Sequence, residues 1–216
     1  MKIKSENYRL DPLVIITAIM VTSYIASNVL AVKLINFFSF TFFDAGIIIF
    51  PITYIIGNIL TEIWGFKIAK NVILLTFFCN IIFVILTVIA SFMPYPDYIE
   101  QTAISFKNIF TVVPRILLAS LIAFLVGEIC NSWFVEKLKK ITNSKKLWLR
   151  TILGFSVGYL IDTLLFVIIA FYKIAPTKDL ITMILTQYSI KMLLETFLGT
   201  PIVYGVIALL KKKGIK

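Results

Sequence analysis

The chain has eleven acidic residues, and five of them, Asp44, Glu62, Glu128, Asp162 and Glu195, lie inside long apolar runs. The same runs hold the amides Asn58, Asn131 and Gln187 and three cations, Lys33, Arg115 and Lys191. A charged side chain at the centre of a bilayer costs on the order of 2.5–3.5 kcal/mol on insertion scales. One such group is tolerable when paired. Five carboxylates with amides and cations around them require a polar cavity lined by protein, and a solute pathway is its simplest use.

Helical spacing sorts these groups into faces. Tyr54, Asn58 and Glu62 recur every fourth residue in "YIIGNILTEIWGF", residues 54–66. Gly127, Glu128 and Asn131 lie within one turn, with Ser120 two turns away, and Phe155, Tyr159 and Asp162 align on another segment. Gln187, Lys191 and Glu195 form a ladder on the last segment. Counted from the segment ends, Asn58, Asp162 and Lys191 fall near mid-depth, Glu62, Glu128 and Glu195 toward one side, and Asp44, Arg115 and Lys33 toward the other.

The candidate solute ligands are therefore Asn58, Glu62, Glu128, Asn131, Asp162, Lys191 and Glu195, with Asn28, Tyr54, Phe155, Tyr159 and Gln187 as further candidates. Blander readings stand beside these. Lys191 and Glu195 are spaced to neutralise each other on one helix. Asp44 and Arg115 form an outer-side polar pair, or reach the headgroups separately, and Lys33 fits a snorkelling helix end. Tyr54 and Tyr159 suit core packing as well as ligand contact.

The elements that must carry these groups are membrane helices. Of 216 residues, 60% are hydrophobic and 15% charged, with a mean hydropathy of +0.98, which excludes an ordinary soluble domain. A spanning helix needs about 20 apolar residues for a core about 30 Å thick. Six segments qualify, at approximately 12–36, 44–65, 70–93, 112–136, 149–172 and 180–210. The expected fold is an all-α bundle of six transmembrane helices in a single membrane domain, 1–216. Proline at 51 and the Gly199-Thr200-Pro201 run should loosen the second and sixth segments. The apolar run from Leu13 to Phe38 exceeds the roughly 7–15 residues of a signal-peptide core, so it reads as the first span.

Lys and Arg are distributed fifteen to three between the two sets of segment ends, which predicts cytoplasmic N and C termini under the positive-inside rule. That placement also explains the net charge of +10 without nucleic acid as a direct partner. The outer connection 94–111 alternates Ile99, Ala103, Phe106 and Phe110 with Asp97, Glu100 and Lys107, a short amphipathic helix or a surface loop. Small residues recur at Ser23-Ser27-Ala31, Ala119-Ala123-Gly127 and Gly154-Gly158, where they pack the bundle or form a homodimer. Cys79 and Cys130 read as buried hydrophobes, and the absence of histidine removes His-based zinc sites and Ser-His triads. Metal, cofactor and catalytic residues are not expected. An intramembrane enzyme would need clustered acidic ligands or an activated nucleophile. An echo between Gly57…Thr61-Glu62 and Gly158…Asp162-Thr163 leaves an inverted repeat open.

Four stretches, "FDAGIIIFPITYIIGNILTEIWGFKIAK", "RILLASLIAFLVGEICNS", "LWLRTILGFSVGYLIDTLLFVIIAF" and "IKMLLETFLGTPIVY", resemble the queuosine precursor transporter family, also called the vitamin uptake transporter family. The likeness runs from about Asn28 to Tyr204. It implies a multi-pass protein of the bacterial inner membrane that imports 7-deazaguanine bases (queuine, preQ1 or preQ0) for tRNA modification. Glu62, Glu128, Asn131, Asp162, Lys191 and Glu195 match the family's pattern. Asn58 stands where the family commonly has Asp in "GDILTEVYG", and Leu153-Gly154-Phe155 with Tyr159 replaces a "GSTxxGE/Q" run. The alternative is the substrate-capture subunit of an ATP-driven energy-coupling vitamin transporter. Membrane lipid is the expected surrounding partner in either case.

Overall fold

The structure is a computed structural model that describes residues 11–31, 33–37, 41–111, 114–173, 176–212 and 214. Its helices are α1 (Pro12–Leu30), α2 (Pro51–Trp64), α3 (Phe66–Ser91), α4 (Glu100–Thr111), α5 (Pro114–Ile141), α6 (Leu147–Phe171), α7 (Thr177–Leu194) and α8 (Thr200–Lys212). Six stretches are long and apolar enough to span a membrane: Pro12–Leu30, Ala45–Trp64, Phe66–Ser91, Leu118–Ile141, Leu147–Phe171 and Thr177–Lys212. The six-span helical bundle expected from the sequence is present.

The first span differs from expectation at its far end. Asp11 caps α1, its carboxylate accepting the Leu13 N–H at 2.8 Å, and Pro12 occupies the first turn, where its missing donor costs nothing. The helix stops at Leu30 instead of continuing to 36. Beyond it, β1 (Leu34–Phe37) pairs antiparallel with β2 (Thr41–Asp44), from Leu34 opposite Asp44 to Phe37 opposite Thr41. Aromatic and β-branched residues dominate "LINFFSFTFF", and such residues favour a pleated surface over a helix. The Ala45 N–H donates to the Lys33 carbonyl at 2.9 Å and closes the hairpin. A single 3₁₀ turn, Ala45–Ile48, then leads to Pro51 at the start of α2.

Helix α2 is the centre of the molecule: twelve of its fourteen residues are buried. Gly65, at φ 80°, ends α2 and begins α3 in a backbone conformation open to glycine. Helix α3 turns Leu75, Phe78, Ile82, Ile85, Leu86 and Ile89 outward, as a lipid-facing helix does. The connection after it contains α4, whose Phe110 ring meets Phe83 of α3 at 6.2 Å.

Helices α5 and α6 form the most extensive helix pair, and their small residues explain the closeness. A Cβ added at Gly127 would lie 3.0 Å from the Gly158 carbonyl, and one at Gly158 would lie 3.3 Å from the Gly127 carbonyl. Ala119 and Ala123 are also fully buried. On α1, Ser27 is buried and its hydroxyl donates to the Gly46 carbonyl at 3.2 Å. The small-residue stripes thus pack this bundle from within.

The last span is interrupted. Residues Glu195–Gly199 form a π turn between α7 and α8, and the Thr200 N–H and hydroxyl both reach the Glu195 carbonyl. Pro201 supplies the cause: it has no N–H to give to the preceding turn, and its ring crowds that turn's carbonyls. The loosening expected near Gly199-Thr200-Pro201 begins at Glu195, a candidate ligand.

Candidate functional site

The interior of the bundle gathers side chains from α2, α5, α6, α7 and the π turn. Lys191 leaves α7 and places its ammonium 2.6 Å from Asp162 Oδ2 and 3.4 Å from Thr163 Oγ1, both on α6. The same ammonium lies 4.9 Å from the centre of the Phe50 ring and 5.6 Å from that of Tyr159. The ladder partner Glu195 turns instead to Tyr159, whose hydroxyl donates to Glu195 Oε1. The same-helix pairing of Lys191 with Glu195 that spacing allowed is therefore replaced by two bonds across to α6. Glu195 opens the π turn, while Asp162 presents a carboxylate directly to the lysine.

Next to this lies a second group with a different character. Glu128 is fully buried on α5, and a Cβ on Gly57 of α2 would collide with its carboxylate. The missing side chain at 57 is what makes room for the acid. The Asn131 amide lies beside the Glu128 carboxylate, three residues further along α5. A Cβ at Gly154 of α6 would lie 2.7 Å from Asn131 Oδ1 and 3.8 Å from Asn58 Oδ1, so the two amides converge there. Among the described residues, both oxygens of Glu128, both amide atoms of Asn58 and of Asn131, Ser132 Oγ, Thr151 Oγ1 and Glu195 Oε2 are buried without a hydrogen-bond partner. Buried polar groups normally find partners, so a cluster of this size points to a ligand or water as the missing one.

Rings fill the space between these groups. The Tyr54 and Tyr159 centroids are 4.3 Å apart, Phe155 stacks beyond Tyr159 at 6.2 Å, and all three residues are fully buried. The Tyr54 hydroxyl points toward the Gly158 carbonyl, 3.5 Å away. The three rings thus pack closely against one another beside the polar groups.

Glu62 sits one turn beyond Asn58 and has a separate environment. Its carboxylate receives Arg150 Nη1 at 2.9 Å, and the Lys139 ammonium donates to its backbone carbonyl at 2.6 Å while lying 3.9 Å from Oε2. Arg150 also donates to the Ser144 carbonyl at 3.3 Å. These bonds tie the end of α2 to the α5–α6 connection. Gln187 is buried one turn before Lys191. Asn28 accepts from Ser120 Oγ at 2.8 Å and borders a shallow groove between α1, α3 and α4, lined by Val29, Phe83 and Phe110. The side chains of Asp44 and Arg115 lie outside the described residues.

Sequence reasoning missed Arg150, Phe50 and Thr163. By position Arg150 is one of the cations at the segment ends, yet it is one of only three arginines among twenty-one cations and opens an apolar run. Arginine's planar fork suits a buried carboxylate better than lysine does, which was the available signal. Phe50 precedes a helix and carries no polar label, so nothing in the sequence marked it.

A family model described as "Putative vitamin uptake transporter" matches residues 44–206. A "Probable queuosine precursor transporter" of Bacillus subtilis (strain 168) is 28% identical over 170 residues, covering 77% of this chain and 72% of that protein. No solved structure matches the chain.

Proposed function

The chain belongs to the vitamin uptake transporter family, and from that premise we propose that it imports a queuosine precursor, a 7-deazaguanine base, across the bacterial inner membrane. The observation that carries this reading is the Glu128 group: a buried carboxylate with both oxygens unpartnered, beside two amides that converge from α2 and α5. A deazaguanine presents N1–H and its 2-amino group as parallel donors, which one carboxylate accepts together. Its O6 requires a donor, which the amide of Asn58 or Asn131 supplies. Its flat ring requires an aromatic face, and Tyr54, Tyr159 and Phe155 offer three. A site built to satisfy these groups rejects analogues that leave them unpaired.

The name of the Bacillus subtilis relative supports the same substrate class. In this reading Glu62, with Arg150 and Lys139, closes one end of the pathway, and Asn58 touches the base. The test is a thermal-shift screen of the purified protein against queuine, preQ1, preQ0, guanine and biotin, followed by uptake into liposomes holding this protein alone. Stabilisation by deazaguanines and not by biotin is expected, with uptake that needs no ATPase. Asp162→Ala and Glu128→Ala should abolish uptake while the protein still reaches the membrane. Normal uptake in both variants would overturn the site assignment.

A further inference from the structure

Lys191 does more than neutralise Asp162. Its ammonium is held by a carboxylate at 2.6 Å, a hydroxyl at 3.4 Å and two aromatic rings at 4.9 and 5.6 Å. A carboxylate combined with ring faces is the chemistry by which proteins bind ammonium ligands, because the cation is attracted to the negative face of each ring. The parts come from separate elements: Asp162, Thr163 and Tyr159 from α6, and Phe50 from the residue preceding α2. Lys191 reaches in from α7 on a flexible stem of four carbons. The receptor and its occupant are therefore different pieces of the protein.

We propose that Asp162, Thr163, Phe50 and Tyr159 form a receptor for a primary or secondary ammonium group, and that Lys191 is its tethered occupant, displaced by the amine of an amine-bearing substrate. The proposal rests on the transport reading above and narrows it to precursors with an aminomethyl cation, over neutral ones such as the nitrile. Tyr159 joins this receptor to the base site, since its ring faces Lys191 while its hydroxyl bonds Glu195 and Tyr54 packs beside it. A base lying on the tyrosines would place a side-chain amine within reach of the receptor. Withdrawal of Lys191 on substrate entry, and its return on release, leaves Asp162 paired throughout the cycle. Pairing at every stage matters because an uncompensated buried carboxylate is costly.

The first test needs no knowledge of the natural substrate. Purified Lys191→Ala protein should melt at a lower temperature than wild type, and ethylammonium should restore it saturably, whereas ethanol and tetraethylammonium should not. The double variant Asp162→Asn/Lys191→Met removes both charges and should fold without help, and ethylammonium should leave its melting temperature unchanged. Equal stabilisation of the double variant by ethylammonium would overturn the receptor.

The second test uses Lys191→Met and the two bases that differ in the side chain. Removal of the tethered competitor should raise affinity for preQ1 on the order of tenfold, as expected for a group held at high effective concentration. Affinity for preQ0, which has a nitrile, should not rise. Equal losses for both bases would make Lys191 a direct substrate ligand and end the proposal. Ethylammonium rescue without binding of any deazaguanine would keep the receptor and reject the queuosine reading. Deazaguanine binding indifferent to the amine and to Lys191 would do the reverse.

Discussion

The carboxylates of this protein have unequal roles, and the difference is set by what each one touches. Asp162 is matched by Lys191 and Glu62 by Arg150, while Glu128, beside the Asn131 amide, has two buried oxygens that find no partner in hydrogen-bond geometry among the described residues. Glu128→Gln separates binding from folding. Glutamine keeps the shape but replaces one acceptor oxygen with an NH2 that opposes the donors of a deazaguanine edge. Hydrogen bonds to a charged group are worth about 1.5–3 kcal/mol, so base affinity should fall roughly 10- to 100-fold by calorimetry. The melting temperature should hold or rise, because a neutral amide costs less to bury than a carboxylate. Parallel loss of affinity and stability would make Glu128 structural instead. At this scale the sequence was informative: an acid inside an apolar run is visible without coordinates. Its partner was not visible, since Asp162 and Lys191 lie twenty-nine residues apart in sequence. Spacing alone offered Glu195, and only the packing of α6 against α7 redirected the lysine.

At the scale of elements, the Glu62–Arg150 bond holds α2 to the start of α6, with both side chains almost wholly buried. Removing one partner of a buried pair strands the other charge, at a cost of about 3–5 kcal/mol, whereas replacing both with apolar groups is often close to neutral. Arg150→Met should therefore lower the melting temperature sharply, and Glu62→Leu/Arg150→Met should recover most of the loss. In the proposed transport cycle this end must close and reopen, so transport should not recover with stability. Recovery of both together would leave the pair a packing device only. The spans themselves were legible from apolar length, yet their ends were set by other physics. Helix α1 yields to the aromatic and β-branched hairpin after Leu30. The final span widens into a π turn at Glu195, four residues before the glycine that marked the expected break. Missing N–H groups act on the preceding turn, so a proline's effect appears upstream of the proline itself.

For the whole molecule, the loops at the two ends of the bundle differ in Lys and Arg content, and that asymmetry predicts how the proposed importer sits in the membrane. The turns at 65–66 and 142–146 lie at the end where Lys139 and Arg150 meet Glu62. The connection bearing α4 lies at the other end, with Tyr98 87% exposed. The fifteen-to-three distribution of Lys and Arg along the sequence predicts that the first end faces the cytoplasm under the positive-inside rule. Charge asymmetry was fully legible in the sequence because it depends on loop composition and not on side-chain packing. The close contact of Tyr54 with Tyr159 was illegible for the opposite reason: whether facing rings enclose space or fill it depends on the helix spacing that Gly127 and Gly158 allow. Orientation can be measured directly in intact cells. With Cys79 and Cys130 replaced by Ala, a single cysteine introduced as Tyr98→Cys should react with a membrane-impermeant maleimide. Lys145→Cys, in the exposed α5–α6 turn, should react only after the cells are permeabilised. The reverse pattern would put the Glu62–Arg150 closure at the outer face. Substrate from outside would then meet the ion pair before the Glu128 group, and import would require breaking that buried pair at entry rather than at release.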